Sequence, residues 1–299
     1  MAKERKHIIT EYHLNRHQPD KPQVAIIDLK SHLIENHCQV NKPHIHSFYQ
    51  IIWFKKGKGT HAIDFNKYEV FENAIFFVAK DQVHYFDENT DYEGILIHFN
   101  EVFLFQNENP TAFFLNSNLF NNLYQQPTCC IDQGGAQKLD EYIAQMKCEL
   151  EDQEDFGKEQ LLRNYLNNFL IQIQRKKCAS ERHEGQHAQL FDEKRLQLIK
   201  FINLITENYK KGLTVAAYAS LLGISSRSLS DLTQHLLNKT PSQMIQERII
   251  VEAQRLLLYS QLNINQIGYQ MGFDDASYFV KYFKKHTGIS PSEFRKSIA

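Results

Sequence analysis

Residues 264–295 read INQIGYQMGFDDASYFVKYFKKHTGISPSEFR, and they predict a short helix, a tight turn and a second helix. Gly272 marks the turn, because a turn between crossed helices needs a residue that tolerates positive φ. Asp274 or Asp275 can accept from the free N–H groups where the second helix begins. Gly288 ends that helix in the left-handed conformation. A helix pair of this kind is the geometry that enters a DNA major groove.

The same pattern occurs fifty residues earlier, so the chain carries an internal repeat. Thr240-Pro241-Ser242-Gln243 repeats Ser290-Pro291-Ser292-Glu293, and each is a capping box with Pro at the first helical position. The repeat predicts helix-turn-helix motifs over 213–237 and 264–286, joined by one long helix. At 1.5 Å per residue that helix spans roughly 28 Å, against about 34 Å for one turn of DNA.

These stretches resemble the AraC/XylS family of bacterial transcription regulators. The residues that carry the resemblance are Ile267-Gly268, Gly272-Phe273, Tyr278-Phe279, Lys281, Phe283-Lys284, Gly288, Ser290-Pro291 and Phe294-Arg295. The resemblance implies an all-α DNA-binding domain over 190–299. It also implies an N-terminal sensor domain and a dimer.

Residues 24–99 contain five short β-branched or aromatic segments separated by polar or glycine turns, which predict a β-sandwich or barrel. His44-x-His46-x₃-Gln50, followed by Gly57, Gly59 and Asp81-Gln82-Val83-His84, is similar to the two cupin motifs. We therefore expect an α+β protein of two domains. A cupin-like barrel or jelly roll with flanking helices precedes an all-α domain of two helix-turn-helix units.

Three histidines of these motifs, His44, His46 and His84, are weak candidates for a metal site, since imidazole is a common metal ligand. Gln50 stands where metal-binding cupins usually have Glu, so a charged ligand is missing and we predict no metal and no cofactor. In the alternative, the histidines hydrogen-bond each other or line an effector pocket. The pocket candidates are His44, His46, Tyr49, Trp53 and His84.

Two amphipathic stripes follow the strands, Leu139 to Leu150 and Leu162 to Ile173, each stepping by 3 and 4 residues. Such stripes either pair helices between subunits or cover one face of the β-domain. We expect helices 136–177 to form a dimer contact, as the resemblance implies. Residues 178–189 are polar and contain Gly185, which predicts a linker between a domain at 1–177 and one at 190–299.

Short polar and cationic side chains on the second helix of each motif are the candidates for reading DNA. In the first motif they are Ser226, Arg227, Ser230 and Asp231, and in the second Ala276, Ser277, Val280 and Lys281. The resemblance places all but Ser226 at base-reading positions, although the family usually has a basic or amide residue at Asp231. We expect Lys284 and Arg295 to contact phosphate.

The overall charge of −1 hides an asymmetry between the two halves. Residues 190–299 hold 14 Lys and Arg against 9 Asp and Glu, whereas residues 1–189 hold 20 against 26. Five cysteines without a CxxC spacing, and a charged start without an apolar run, predict a cytoplasmic protein with reduced thiols and no membrane partner.

We therefore expect a homodimeric regulator, not an enzyme, that binds double-stranded promoter DNA and a small-molecule effector. If it is an activator, RNA polymerase is a further partner. A metal-dependent cupin enzyme with a helical appendage is the alternative from another class. A regulator without an effector is the alternative within the same class.

Overall fold

The computed structural model describes residues 9–15, 18, 21–88, 91–104, 115–121, 123–151, 156–180 and 193–297. Two compact units divide the described residues, one over residues 11–180 and one over residues 193–297 together with residues 9 and 10. The first unit combines β-sheets with helices and the second is all helical. The two-domain α+β fold is thus confirmed.

Ten strands of the first unit form two antiparallel sheets among the described residues. Sheet A has the order β1-β3-β8-β5-β6 and sheet B the order β10-β7-β4-β9-β2. The strands are β1 (Thr10–Tyr12), β2 (Val24–Asp28), β3 (His44–His46), β4 (Tyr49–Lys56), β5 (Gly59–Ile63), β6 (Asn66–Val70), β7 (Ala74–Val78), β8 (His84–Phe86), β9 (Glu93–Phe99) and β10 (Thr128–Cys130).

Strand β4 at the centre of sheet B is buried on both faces, and its alternation separates two cores. Ile52 and Phe54 lie in the core between the sheets, where Phe76 and Leu96 join them. Ile51 and Trp53, one residue out of phase, lie in a second core on the outer face of sheet B. Aromatic and β-branched side chains fill both cores, which favours the strand conformation here.

The described α-helices of the first unit are α1 (Leu29–Val40), α2 (Glu101–Leu104), α3 (Gln133–Glu151) and α4 (Lys158–Ser180), and a short π-helix spans Asn116–Phe120. Both predicted stripes on α3 and α4 lie in the outer core against sheet B, and Leu166 and Phe169 are fully buried there. The stripes therefore cover one face of the β-domain, which is the second of the two interpretations given above. They do not pair helices between subunits. A subunit contact through these helices has to use their other faces.

Helix α4 continues to Ser180, three residues into the segment predicted as a linker. The rest of that segment, from residue 181, lies outside the described residues. Within the described chain, no helix has both the length and the apolar character that crossing a membrane requires.

The helices of the second unit follow the predicted repeat. They are α5 (Glu193–Asn208), α6 (Val215–Leu221), α7 (Ser226–Leu237), α8 (Pro241–Tyr259), α9 (Ile264–Gln270), α10 (Ala276–Thr287) and α11 (Pro291–Ser297). Each motif thus consists of a seven-residue helix and a twelve-residue helix, and the long α8 joins the two.

Side-chain caps set the ends of these helices. Ser225 Oγ accepts from Ser228 N at 3.0 Å where α7 begins, and Asp275 Oδ1 accepts from Ser277 N at 2.8 Å where α10 begins. Asn238 and Gly288 end the same two helices with φ of 53° and 83°. The predicted capping boxes at α8 and α11 are also present.

Gly272 holds the turn of the second motif against a neighbouring turn. Its φ is +87°, and a Cβ at this position would lie 1.8 Å from the Lys210 carbonyl oxygen. Lys210 belongs to the short 3₁₀ turn Tyr209–Lys211 that follows α5. Only glycine permits this approach, so the turn between α9 and α10 fits directly on the end of α5.

Candidate nucleic-acid interface and histidine cluster

Three histidines meet on the inner face of sheet A. His44 and His46 alternate along β3, and His84 on β8 is the register partner of His44. The ring centroids lie 4.2 Å apart for His44 and His84, 4.6 Å for His46 and His84, and 5.0 Å for His44 and His46. One ligand nitrogen from each ring lies within 4.8 Å of the other two. The structure thus brings the three cupin-motif histidines together.

Two further histidines complete the cluster. His61 on β5 points Nε2 toward His84 Nδ1 at 3.4 Å, and the His98 ring lies 5.9 Å from that of His46. His98 is the register partner of Gln50 on β4, and both are buried. The alternation of side chains along β9 directs His98 inward. His61 gave no signal in the sequence, because the pairing of β5 with β8 is not readable from either strand.

Burial keeps these rings neutral. Removal from water lowers the pKa of His44 to about 4 and those of His61 and His98 to about 3. The pKa values of His46 and His84 are also far below the usual value, first because of burial and then because of the neighbouring histidines. Each ring therefore carries one N–H and one lone pair at neutral pH.

The predicted effector pocket does not form as one site. Tyr49 and Trp53 are buried in the outer core beneath α3 and α4, whereas the histidines lie on the inner side of the sheets. Tyr49 stacks on Phe99 at 5.4 Å and Trp53 faces Phe169 at 6.3 Å. Both aromatic residues are therefore core residues, because β4 directs odd-numbered side chains away from the barrel interior.

The predicted reading face of α7 is exposed. Ser226, Arg227 and Asp231 are open to solvent near the helix N-terminus. Ser230 is half-buried, and its hydroxyl donates to the Ser226 carbonyl oxygen at 3.0 Å. This back-bond occupies the Ser230 proton, so Arg227 and Asp231 are the larger polar groups that remain on this face.

The predicted reading face of α10 has fewer exposed residues than expected. Ser277, Lys281 and Lys284 are exposed, but Ala276 is only 8% exposed. Ala276 shares the inward side of α10 with Phe279 and Phe283, three and seven residues later, so it is not on the outer face. Val280 is half-buried and packs against the same core.

Arg295 has a structural contact that the prediction missed. Its Nε donates to the Leu257 carbonyl oxygen at 3.0 Å, and the side chain is half-buried. This bond ties α11 to α8, so Arg295 stabilises the domain. The phosphate contact expected of Arg295 stays a prediction.

Tyr278 is a candidate that the predicted reading face omitted. It is 60% exposed and lies on α10 beside Ser277 and one turn from Lys281. Its ring is supported by Phe273 at 5.9 Å and Tyr282 at 6.4 Å. An exposed tyrosine next to polar residues at a helix N-terminus was a signal available in the sequence.

A charged network stiffens the connection between the two motifs. Glu252 on α8 binds Arg248 at 3.0 Å and Arg255 at 2.7 Å, and all three side chains are largely buried. The Arg248 guanidinium also lies 5.2 Å from the centre of the Tyr209 ring. Because buried charges are tolerated only when paired, this network is sensitive to the loss of any member.

Comparison with known proteins separates the same two regions. Residues 33–166 match the model of the AraC-like ligand binding domain, and residues 218–297 match a helix-turn-helix domain. The chain is 22% identical over 257 residues to the HTH-type transcriptional activator RhaS of Yersinia pestis, which covers 85% of this chain and 89% of that protein.

Solved structures are similar to this chain in whole or in part. An AraC-type regulator structure from Chromobacterium violaceum is 28% identical, with coverage of 36% of this chain and 96% of that one and a TM-score of 0.33. ToxT from Vibrio cholerae O395 is 14% identical, with coverage of 93% and 98% and a TM-score of 0.43.

The two domain matches together span most of the chain, and they join a ligand-binding domain to a DNA-binding one. That combination is typical of a regulator and excludes the alternative of a metal-dependent cupin enzyme. The chain belongs to the AraC/XylS family of DNA-binding transcription regulators.

Proposed function

We propose that this regulator reads a bipartite promoter sequence with α7 and α10, under the control of an effector bound in the β-domain. The observation that carries the proposal is that equivalent helices of the two motifs both expose polar side chains near their N-termini. Recognition helices of helix-turn-helix proteins contact base edges with N-terminal residues.

The spacing of the two helices supports a pair of adjacent half-sites. Helix α8 has 19 residues and so spans roughly 28 Å at 1.5 Å per residue. Successive major grooves on one face of DNA lie about 34 Å apart. The fit of Gly272 on Lys210 holds the second motif in one position relative to α5.

Each exposed side chain has a base or phosphate partner that suits its chemistry. Arg227 presents a planar fork that matches the O6 and N7 acceptors of guanine, and Asp231 can accept from cytosine N4. Lys281 reaches either guanine or phosphate, and Lys284 at the far end of α10 suits phosphate. We add Tyr278 to this face because of its exposure.

The wider assembly belongs to the same proposal. RhaS is described as an activator, which supports an activating role here and RNA polymerase as a partner. We expect a homodimer, formed through surfaces of α3 and α4 that the sheet leaves uncovered. An effector acts by favouring one of two existing arrangements of the protein.

Selection of DNA from a random-sequence pool tests the proposal directly. We expect the purified protein to enrich two half-sites about 10 base pairs apart, as two recognition helices on one face of DNA require. Binding measured at two salt concentrations then separates base readout from phosphate attraction.

The Lys200→Ala variant is a matched control, since Lys200 is exposed on α5 and outside both reading helices. Enrichment of only one short DNA sequence, or affinity that depends on salt alone, would contradict the proposal that both helix-turn-helix motifs read DNA.

A further inference from the structure

The histidine cluster has an atomic arrangement that ordinary core packing does not require. His46 Nδ1 and His84 Nε2 face each other at 3.2 Å. In tetrahedral zinc sites with Zn–N bonds of about 2.0–2.1 Å, two ligand nitrogens lie about 3.4 Å apart. These two nitrogens are therefore already separated by the edge of a metal tetrahedron.

The third histidine is oriented by the backbone. His44 Nδ1 lies 2.8 Å from the Lys42 carbonyl oxygen, which can only accept, so Nδ1 carries the proton. The lone pair of His44 is consequently on Nε2. A backbone carbonyl that fixes the tautomer and the ring in this way is the usual support of a metal-ligating histidine.

His61 supplies a similar support for His84. Its Nε2 lies 3.4 Å from His84 Nδ1, so it can accept a proton there and leave the His84 Nε2 lone pair free. In the fully buried ring of His61, Nδ1 has no hydrogen-bond partner among the described residues. Since His61 Nε2 accepts in this arrangement, Nδ1 carries the proton of that ring.

We propose that His44 Nε2, His46 Nδ1 and His84 Nε2 bind one divalent transition-metal ion in the β-domain. Imidazole donors favour zinc, cobalt, nickel and copper over magnesium or calcium. Three protein ligands leave one coordination position open for water or a small anion. The inference rests on the proposed sensing role of the β-domain, and it names the chemical class of the effector.

Binding requires a change of tautomer and a shift of the rings, because the three ligand nitrogens lie up to 4.8 Å apart and have to approach the tetrahedral spacing of about 3.4 Å. The hydrogen bond between His46 and His84 needs one N–H, and a bound ion needs a lone pair on both nitrogens. The protons then lie on the opposite nitrogens, with His84 Nδ1–H donating to His61 Nε2.

Metal titration of the untagged, chelator-treated full chain tests this inference. We expect one Zn²⁺ per chain by calorimetry, and a tetrahedral ligand-field spectrum with Co²⁺. The variants His46→Gln and His84→Gln should each bind at least about 100-fold more weakly, given that even the loss of a supporting residue costs 10–100-fold.

His98→Gln is the matched control, since His98 is a buried neighbour outside the three ligands, and it should bind within about threefold of the unmodified chain. X-ray absorption of the zinc-loaded natural chain gives a second readout if a variant does not fold. A shell of three imidazole nitrogens at about 2.0 Å supports the site. Absence of binding, unchanged affinity in His84→Gln, or a shell with sulfur would overturn it.

DNA selection in the presence of chelator keeps the two proposals distinguishable. Metal binding by a protein that enriches no DNA motif supports the site but contradicts the proposed function. Enrichment of a bipartite motif by a protein that binds no Zn²⁺ or Co²⁺ overturns only the metal site.

Discussion

The two helix-turn-helix motifs share one backbone frame. In the first turn Gly223 N donates to Ser220 O at 3.0 Å, and in the second Gly272 N donates to Tyr269 O at the same distance. Both glycines have positive φ, and both long helices begin at a side-chain cap and end in the left-handed region. The geometry of each helix-turn-helix motif is thus set by a few turn and cap residues.

The faces that this frame presents differ in charge. Asp231 and Lys281 occupy equivalent positions, and α10 adds Lys284 and Lys285 in its last turn. Since DNA attracts cations whatever its sequence, we expect the second motif to be the stronger source of general affinity. We expect the first motif, with Arg227 beside Asp231, to discriminate better between bases. The backbone geometry of the two motifs and the charge of their exposed faces are therefore set by different residues.

The largest effect should come from the turn glycines. Gly272→Ala introduces a Cβ that would lie 1.8 Å from Lys210 O, so we expect a loss of more than about 3 kcal/mol in the free energy of unfolding. Gly223→Ala meets nothing within 4 Å and should lose only about 1–2 kcal/mol, from the positive φ alone. Denaturant unfolding measures both, and equal losses would contradict the close fit of the second turn.

A smaller effect separates the two reading faces. Arg227→Ala should weaken binding to selected DNA by about 1–3 kcal/mol and relax the preference at one base pair. Lys281→Ala should also weaken binding, but if it contacts phosphate it lowers the salt slope by about 1 and leaves sequence preference unchanged. Fluorescence anisotropy over a salt series, with Lys200→Ala as the control, measures both variants.

The smallest effect tests Asp231. On DNA of random sequence, removing its charge by Asp231→Asn should strengthen binding by less than about 1 kcal/mol, because a solvent-exposed charge near phosphates is partly screened. The gain should shrink as salt rises. If affinity instead falls together with a preference for cytosine, then Asp231 accepts from the base.

Local rules explain why the helical unit was readable from its sequence. A cap, a turn glycine and a capping box each act over four residues or fewer, as at Thr240 and Gln243. The faces were harder to assign, since Ala276 at the first position of α10 turns inward with Phe279. A shift of one residue along the helix decides whether a side chain faces solvent or the core.

The β-unit was less predictable because its contacts are long-range. Strand β4 is buried on both sides, so its hydrophobic run did not show which face Tyr49 and Trp53 take. The cluster joins residues 44, 61, 84 and 98 through strand pairings that no local pattern specifies. The fold class and three of the clustered histidines could be predicted from the sequence, but the pairings that bring His61 and His98 beside them could not.

Because the turn at Gly272 fits closely against Lys210, we expect the two motifs to keep a fixed separation on DNA. A promoter that gains or loses a base pair between the two half-sites rotates one of them by about one tenth of a helical turn. A protein whose two motifs were joined by a loose tether would follow that rotation, whereas we expect this one to twist the DNA instead. Binding sites for this regulator should therefore vary in sequence more readily than in spacing.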